Sequence, residues 1–320
     1  MAYIQLGHLA GGTGAGGTGA GRTGGNSADS VCRYLTGLKP NFSQCEAPHL
    51  RLFDGSLHIG IIGKPADSSL IHPISNTMNI VVLTGAGISQ ESGLMTFRGA
   101  GSEWKGMDVS YLANIDTFQT DPQLVFDFYN FRRRALQAPT VQPNAAHLAL
   151  AELEQSLPDG AVTIVTQNVD NLHERAGSRR VIHIHGELLK ARCLDTGELF
   201  DWTDDLGPET PHPRDASHRG RLRPHVVWFG EMPLDLDIAF RDIKRCDLFL
   251  AVGTSGHVWP AAGLVQDTRP DCRRVEINLE DTPVATSFDE CRRGKASLEV
   301  PQFVSELLHS LGRPQGMVVP

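Results

Sequence analysis

The sequence predicts an α/β protein, a parallel sheet flanked by helices, and two observations carry that expectation. From Met78 onward, short apolar runs bounded by turn residues alternate with stretches of helical periodicity, the pattern of buried parallel strands covered by helices. Polar residues able to do chemistry also fall directly after those runs. TQNVDN follows residues 162–165, and IHIHG closes residues 181–186. In an open parallel sheet, ligands bind at the C-terminal ends of the strands. An amide, a carboxylate and an imidazole therefore meet at the ends of two adjacent strands, the arrangement of an active site.

In chain order, residues 11–25 read GGTGAGGTGAGRTGG, a low-complexity tract that is entropically costly to fix and has no side chains for a core. Residues 26–77 are mixed, with Pro40, Pro48, Pro65 and Pro73 and only short apolar runs. Residues 1–77 are thus expected to be a poorly structured extension, with Met78 opening the folded part. The expected strands are residues 80–83, 162–165, 181–184, 226–228, 248–252 and 275–277. A helix is expected to start at Asp121-Pro122, where Asp is a good cap and Pro fits the first helical position. Another is expected over residues 144–157, burying Leu148, Leu153 and Leu157. Residues 193–223 are polar and break the sheet pattern, which reads as a small inserted module, at about 190–223. Residues 78–312 then form the catalytic domain and 313–320 a tail.

Composition limits the partners. With 320 residues and 40% apolar content the chain can bury a core of one large or two modest domains. Its net charge of -8 excludes the basic footprint of a nucleic-acid binder and suits a basic peptide. The six cysteines include no CxxC pair, so neither a disulfide framework nor a zinc finger is indicated. No export signal opens the chain and no run is long enough to span a bilayer, so membrane association is not expected and the cytoplasm is the expected location.

The turn after residues 80–83 reads GAGISQESG, and its glycines would let backbone amides approach a pyrophosphate. A full GxGxxG fingerprint would need glycine where Gln90 stands. VGTSGH supplies a second glycine turn, and EINLE ends its strand in Glu280, which could hold ribose hydroxyls. A dehydrogenase fits poorly, because that acid belongs to a late strand and not to the one directly after the first glycine turn.

Taken in order, GAGISQESG, TFRGAG, TQNVDNLHERAG, HIHGEL, FGEMP, GTS and NLE resemble the sirtuins, the NAD-dependent protein lysine deacylases, over roughly residues 78–311. The resemblance is strongest to the bacterial and mitochondrial class that removes acidic acyl groups. It implies a Rossmann-like domain with a helical insertion, a smaller module of degenerate zinc-binding type, and a cleft for NAD and an acyl-lysine peptide. The acyl oxygen would attack the anomeric carbon of the nicotinamide ribose, expelling nicotinamide, and a base would then activate a ribose hydroxyl.

Residue by residue, the resemblance makes His185 that base, with Asn168 and Asp170 as its catalytic companions; His183 reads better as a strand histidine satisfied by backbone. For the cofactor it implies Gly85, Ala86, Gly87, Ser89, Thr96, Phe97, Arg98, Trp104, Gln167, Asn168, Val169, Asp170, Gly253, Thr254, Ser255, Asn278, Leu279, Glu280 and Ala296. Tyr129 and Arg132, one turn apart on the expected helix, would hold a succinyl or malonyl carboxylate, although from spacing alone Arg132, Arg133 and Arg134 read as a solvated face. Val227, Trp228, Phe229, Gly230 and Glu231 would pair with the backbone of an acylated-lysine protein substrate. Sirtuins usually hold a structural zinc on two cysteine pairs. Here Cys193 is present, Thr196 takes the second place, and the next cysteine is Cys246. His212 or His218 could at best substitute, so no zinc at full occupancy is expected. Transfer of ADP-ribose to a protein side chain, or NAD binding without catalysis, would use the same cleft.

Overall fold

The strand β1 (Ile80–Thr84) reads IVVLT and is buried at every position, as a parallel strand covered on both faces must be. Around it, a computed structural model of the protein describes residues 78–96 and 103–312, within one unit spanning Ser75–Pro320. The expectations for residues 1–77 and 313–320 lie outside the described residues.

After β1 comes a short helix, α1 (Ala86–Gln90), then a hairpin of β2 (Glu103–Trp104) and β3 (Met107–Asp108). The helical insertion follows as α2 (Val109–Leu112), α3 (Ile115–Thr120) and α4 (Pro122–Leu136). The Asp121 carboxylate accepts the Leu124 N–H, and Pro122 fills the first turn of α4, as expected. Helix α5 (Ala145–Ser156) is capped reciprocally: Asn144 accepts the Ala146 N–H, and His147 Nδ1 accepts the Asn144 N–H. Its buried stripe runs through Ala146, Ala149, Leu150 and Leu153, so Leu148, expected inside, is 52% exposed on the opposite face. Leu157 is only partly buried, against the same cluster.

The second half continues with β4 (Val162–Thr166), α6 (Leu172–Ala176), β5 (Val181–His183), β6 (Gly186–Cys193), β7 (Leu199–Asp201) and β8 (Leu222–Val226). It ends with α7 (Leu236–Ile243), β9 (Leu248–Val252), β10 (Arg273–Asn278), β11 (Glu290–Arg293) and α8 (Ala296–Ser310). Among the described residues the main sheet has six strands in the order β11-β10-β9-β1-β4-β5, and every pairing in it is parallel. Helices α5 and α8 cover one face, packing on Ile80, Val82, Val162 and Ile164. Val81, Leu83, Phe249 and Ala251 face the other layer, with Ala239, Ile243 and Leu264. None of the helices among the described residues is long and apolar enough to cross a membrane.

Two sheet assignments change. The apolar run at 226–228 is not a strand of the main sheet: Val226 ends β8, which pairs antiparallel with β6 in the small sheet β7-β6-β8, and residues 227 and 228 lie outside any strand. An apolar run carries no signature of which sheet it joins. The edge strand β11, ECRR, is polar and half exposed, and has no apolar run by which to expect it. Gly186, at φ +80, turns the chain out of the main sheet; a Cβ there would lie 2.2 Å from the carbonyl oxygen of His225.

Candidate active site

The strand order reverses about β1, with β4 and β5 on one side and β9 and β10 on the other, so the C-terminal ends of these strands open onto a crevice of the kind that binds ligands in such sheets. From β1 comes Gly85, from β4 Gln167, from β9 Gly253, and from β10 Leu279. The glycines let two loops approach each other closely. Gly85 N–H donates to Val252 and Gly87 N–H to the Gly253 carbonyl, so two loops mesh backbone to backbone. A Cβ on Gly85 would sit 2.7 Å from Gly253 O, one on Gly87 2.8 Å from Gly253 Cα, and one on Gly253 (φ +61) 2.5 Å from Ile88 N. Both amides are spent on this contact.

A cavity of about 140 Å³, partly open to solvent, lies against this junction. Its polar wall is Ser89, Asn168 and Asp170, and Leu94, Met95, Phe131 and Arg132 line it elsewhere. Asn168 donates both amide hydrogens inward, to Gly85 O and Ser89 Oγ at 3.1 Å each. Its side-chain oxygen is therefore what it can offer a ligand. Ser89 in turn donates to Asp170 Oδ2 at 3.0 Å, and Asp170 Oδ1 accepts the Leu172 N–H. Burial raises the Asp170 pKa above the usual carboxylate range, against these hydrogen bonds. Behind Ser89 lies His147, 3.5 Å away, which burial brings down to about 4; it is a neutral donor here.

The two histidines of IHIHG are separated by their second ring nitrogens. His183 Nδ1 donates to the Asn168 carbonyl and His185 Nδ1 to the Gln167 carbonyl, at 3.1 and 3.0 Å. Strand alternation does not orient His185, because β5 ends at His183; the two consecutive carbonyls do. His183 gives its Nε2 to Glu174 at 2.7 Å. Burial opposes charge on that ring, but the carboxylate outweighs it and raises the pKa. His185 is the reverse: burial lowers its pKa, against the Gln167 hydrogen bond. With Nδ1–H held by a carbonyl that can only accept, its Nε2 carries a lone pair, the state a general base needs.

Of the acyl-pocket pair, Arg132 lines the cavity and Tyr129 is buried in the cluster behind it, beside Phe128 and Trp228. Burial raises the Tyr129 pKa to about 12, so it is a phenol. Burial lowers the Arg132 pKa, while Tyr129 and Asp170 favour its charge. The arginine run is not one solvated face. Arg133 is 0% exposed and donates to Leu188 O and Asn130 Oδ1, while Arg134 pairs with Asp205 at the surface. Sequence reading missed Arg133 and Asn130, which tie α4 to β6 and to Leu206.

Segment 227–231 links the small sheet to the insertion: Val227 N–H donates to His185 O, Phe229 N–H to Ala113 O, and Ile115 N–H to Phe229 O. The Glu231 carboxylate turns inward, bound to Arg223 at 2.6 and 2.9 Å and accepting the Trp228 N–H. Arg223 stacks on the Trp228 ring, 3.4 Å from its centroid. Glu231 is thus placed to shape the segment, with Phe229 exposed beside it and Gly230 at φ +92.

Of the remaining expected cofactor residues, Ala86 lines the cavity with Val169. Trp104 packs on Phe128 and Phe131, and Thr96 is the last described residue before 97–102. Phe97 and Arg98 lie outside the described residues. On the other side of β1, Asn278 donates to Thr254 O and receives the Leu279 N–H, Ser255 Oγ accepts the His257 N–H, and Glu280 is exposed. Ala296, the first residue of α8, packs into the core.

The small module offers Cys193, Asp195 and His218, whose ligand atoms lie within 4.8 Å of one another. That donor set does not fit a closed four-ligand zinc site. Thr196 hydrogen-bonds the Cys193 sulfur, and Asp195 is held by His218 Nδ1 at 2.8 Å and Arg221 Nε at 2.9 Å. A guanidinium is the cation on this carboxylate.

Comparison with known proteins agrees with this geometry. Residues 85–260 match the Sir2 family. The chain is 53% identical over 234 residues to an NAD-dependent protein deacylase of Rhodopirellula baltica, covering 71% of this chain and 98% of that one. It is 52% identical over 237 residues to one of Escherichia coli K12, covering 72% and 83%. A solved Sir2 homologue in complex with NAD superposes with a TM-score of 0.66 at 38% identity, over 78% of this chain and 96% of that chain. A Sir2 bound to a deacetylated p53 peptide and 3'-O-acetyl ADP-ribose superposes at 0.61 and 28% identity, over 74% and 94%. With residues 85–260 matching the family and relatives at 52–53% identity covering most of both chains, the chain belongs to the Sir2 family.

Proposed function

We propose that this Sir2-family protein is an NAD-dependent protein lysine deacylase that accepts both acetyl and acidic acyl groups, succinyl and malonyl, yielding nicotinamide, O-acyl-ADP-ribose and free lysine. The observation that carries it is His185. Its proton is fixed on Nδ1 by Gln167 O, which leaves a neutral base held by the residue next to Asn168, whose side chain walls the cavity with Asp170. NAD supplies the leaving nicotinamide and the ribose that receives the acyl group. In this reading Asn168 Oδ1 faces the ribose, Asn278 and Glu280 take the adenosine side, and Arg132 supported by Tyr129 takes a distal carboxylate. A half-buried guanidinium with a buried phenol behind it suits a carboxylate better than a methyl.

The amides of Val227, Trp228 and Phe229 are donated within the protein, so a substrate peptide adds mainly by donating to this segment. Such backbone pairing asks little of the peptide's sequence. In this reading the module carries no zinc at full occupancy, and Arg221 and His218 hold the Asp195 carboxylate. The buried thiols of Cys246 and Cys272 share a hydrogen bond at 3.5 Å, and free thiols of this kind suit a reducing cytoplasm. Incubating the protein with NAD and acetyl-lysine or succinyl-lysine peptides tests the whole reading: nicotinamide release matched by deacylation is expected. Unchanged peptides, or ADP-ribose transferred to protein instead, would overturn it.

A further inference from the structure

The strands β1 and β4 run in register, and their last paired residues are Thr84 and Thr166. Thr84 Oγ1 donates to Thr166 Oγ1 at 2.8 Å, with both side chains 0% exposed. Thr166 Oγ1 also accepts the backbone N–H of Asn168 at 3.0 Å. From α6, His173 reaches Thr84 Oγ1 with Nε2 at 3.0 Å. The Thr84 hydrogen is spent on Thr166, so Nε2 must be the donor in that contact. Its Nδ1 is then a buried lone pair with no partner among the described residues, which costs less than an orphaned N–H. Burial holds the ring well below the usual histidine pKa, helped by neighbouring His147 and His183. A hydrogen-bonded chain therefore runs from His173 through Thr84 to Thr166 Oγ1, where it meets the N–H of the turn that carries Asn168.

We propose that His173, Thr84 and Thr166 are positioning residues for NAD cleavage, a hydrogen-bond relay that fixes Asn168 against the cavity. This rests on the reading of the cavity given above. None of the three lines the cavity, so they act only through Asn168. The relay ends on a backbone N–H at the start of a turn, where a small rotation swings the side-chain amide that bonds Gly85 and Ser89. Such misplacement lowers the rate of the chemical step more than it weakens peptide binding.

The test uses the full chain, measuring NAD-dependent nicotinamide release, the KM for the acyl peptide and Tm. Thr166→Val, which removes the hydroxyl at constant shape, is expected to lower kcat about tenfold and leave peptide KM within about twofold. Thr166→Ser restores kcat. His173→Gln keeps a donor and His173→Leu does not, which reads the far end of the relay even if the valine variant folds poorly. The deciding measurement combines Thr166→Val with Asn168→Ala: an effect that passes through Asn168 adds no further loss of kcat, whereas additive losses overturn the relay. Wild-type protein that releases nicotinamide at the same rate as Thr166→Val overturns the relay alone. Wild-type protein that releases none brings down the reading of the cavity, and the relay with it.

Discussion

The floor of the crevice and the small module both organise polar side chains, and they do so by opposite means. In the floor, Thr84, Thr166, Ser89, Asn168 and Asp170 are all buried, and each is bonded to another member. An unmade hydrogen bond there would cost about 1–3 kcal/mol, so the geometry is obligatory. In the module, Asp195–Arg221, Arg219–Glu209 and Arg214–Glu198 sit at the surface with side chains one-third to four-fifths exposed. Pairs of that kind are weak and screened by salt. The exception is Arg223–Glu231, whose arginine side chain is 2% exposed; it joins the module to segment 227–231. Precision therefore belongs to the floor and to that one pair, and the rest of the module is adjustable.

The largest effect that could break this contrast is at the edge of the floor. His185→Ala is expected to lower deacylation by about 10²–10⁴ while Tm stays close to wild type, measured by product formation and thermal melts. The wild-type rate should also rise with pH through a limb below about 6.5, because the base must be unprotonated and burial lowers its pKa. A limb above that range contradicts the assignment. Next, Glu231→Gln leaves buried Arg223 without its counter-charge and should cost about 3 kcal/mol in denaturant unfolding; loss under about 1 kcal/mol would place this pair with the surface ones.

Arg132→Met is expected to cut desuccinylation about a hundredfold with much less effect on deacetylation, and equal losses would remove the carboxylate pocket. The smallest effect is Arg221→Ala: a slight drop in Tm that fades in about 0.5 M salt. A chelator should leave the wild-type melt unchanged, and a chelator-sensitive melt would return a metal to the module.

Much of the frame was legible because parallel strands buried on both faces are mostly apolar: IVVLT, VTIVT and LFLAV are each buried throughout. The cap of α4 was equally plain, since Asp-Pro can hardly begin anything else there. The run at 226–228 reads as a strand whichever sheet it joins, and ECRR offers no apolar signal at all. Arg133 was hidden inside three consecutive arginines, and only the packing of α4 on β6 shows that the middle one is interior. The two histidines shared one strand signature; what separates them is Glu174, nine residues earlier than His183. Likewise Thr84 and Thr166 are strand-end residues of distant segments, and nothing joins them until β1 and β4 are set in register.

The interlocked glycines at 85, 87 and 253 carry a consequence for engineering. Because each fills the space another's side chain would need, the hinge of the crevice cannot drift one substitution at a time: a change at any of the three must be answered in the facing loop. The exposed tip formed by Leu279 and Glu280 is under no such mutual constraint. A redesign aimed at a different dinucleotide would find its freedom there, with the glycine hinge kept as a fixed axle.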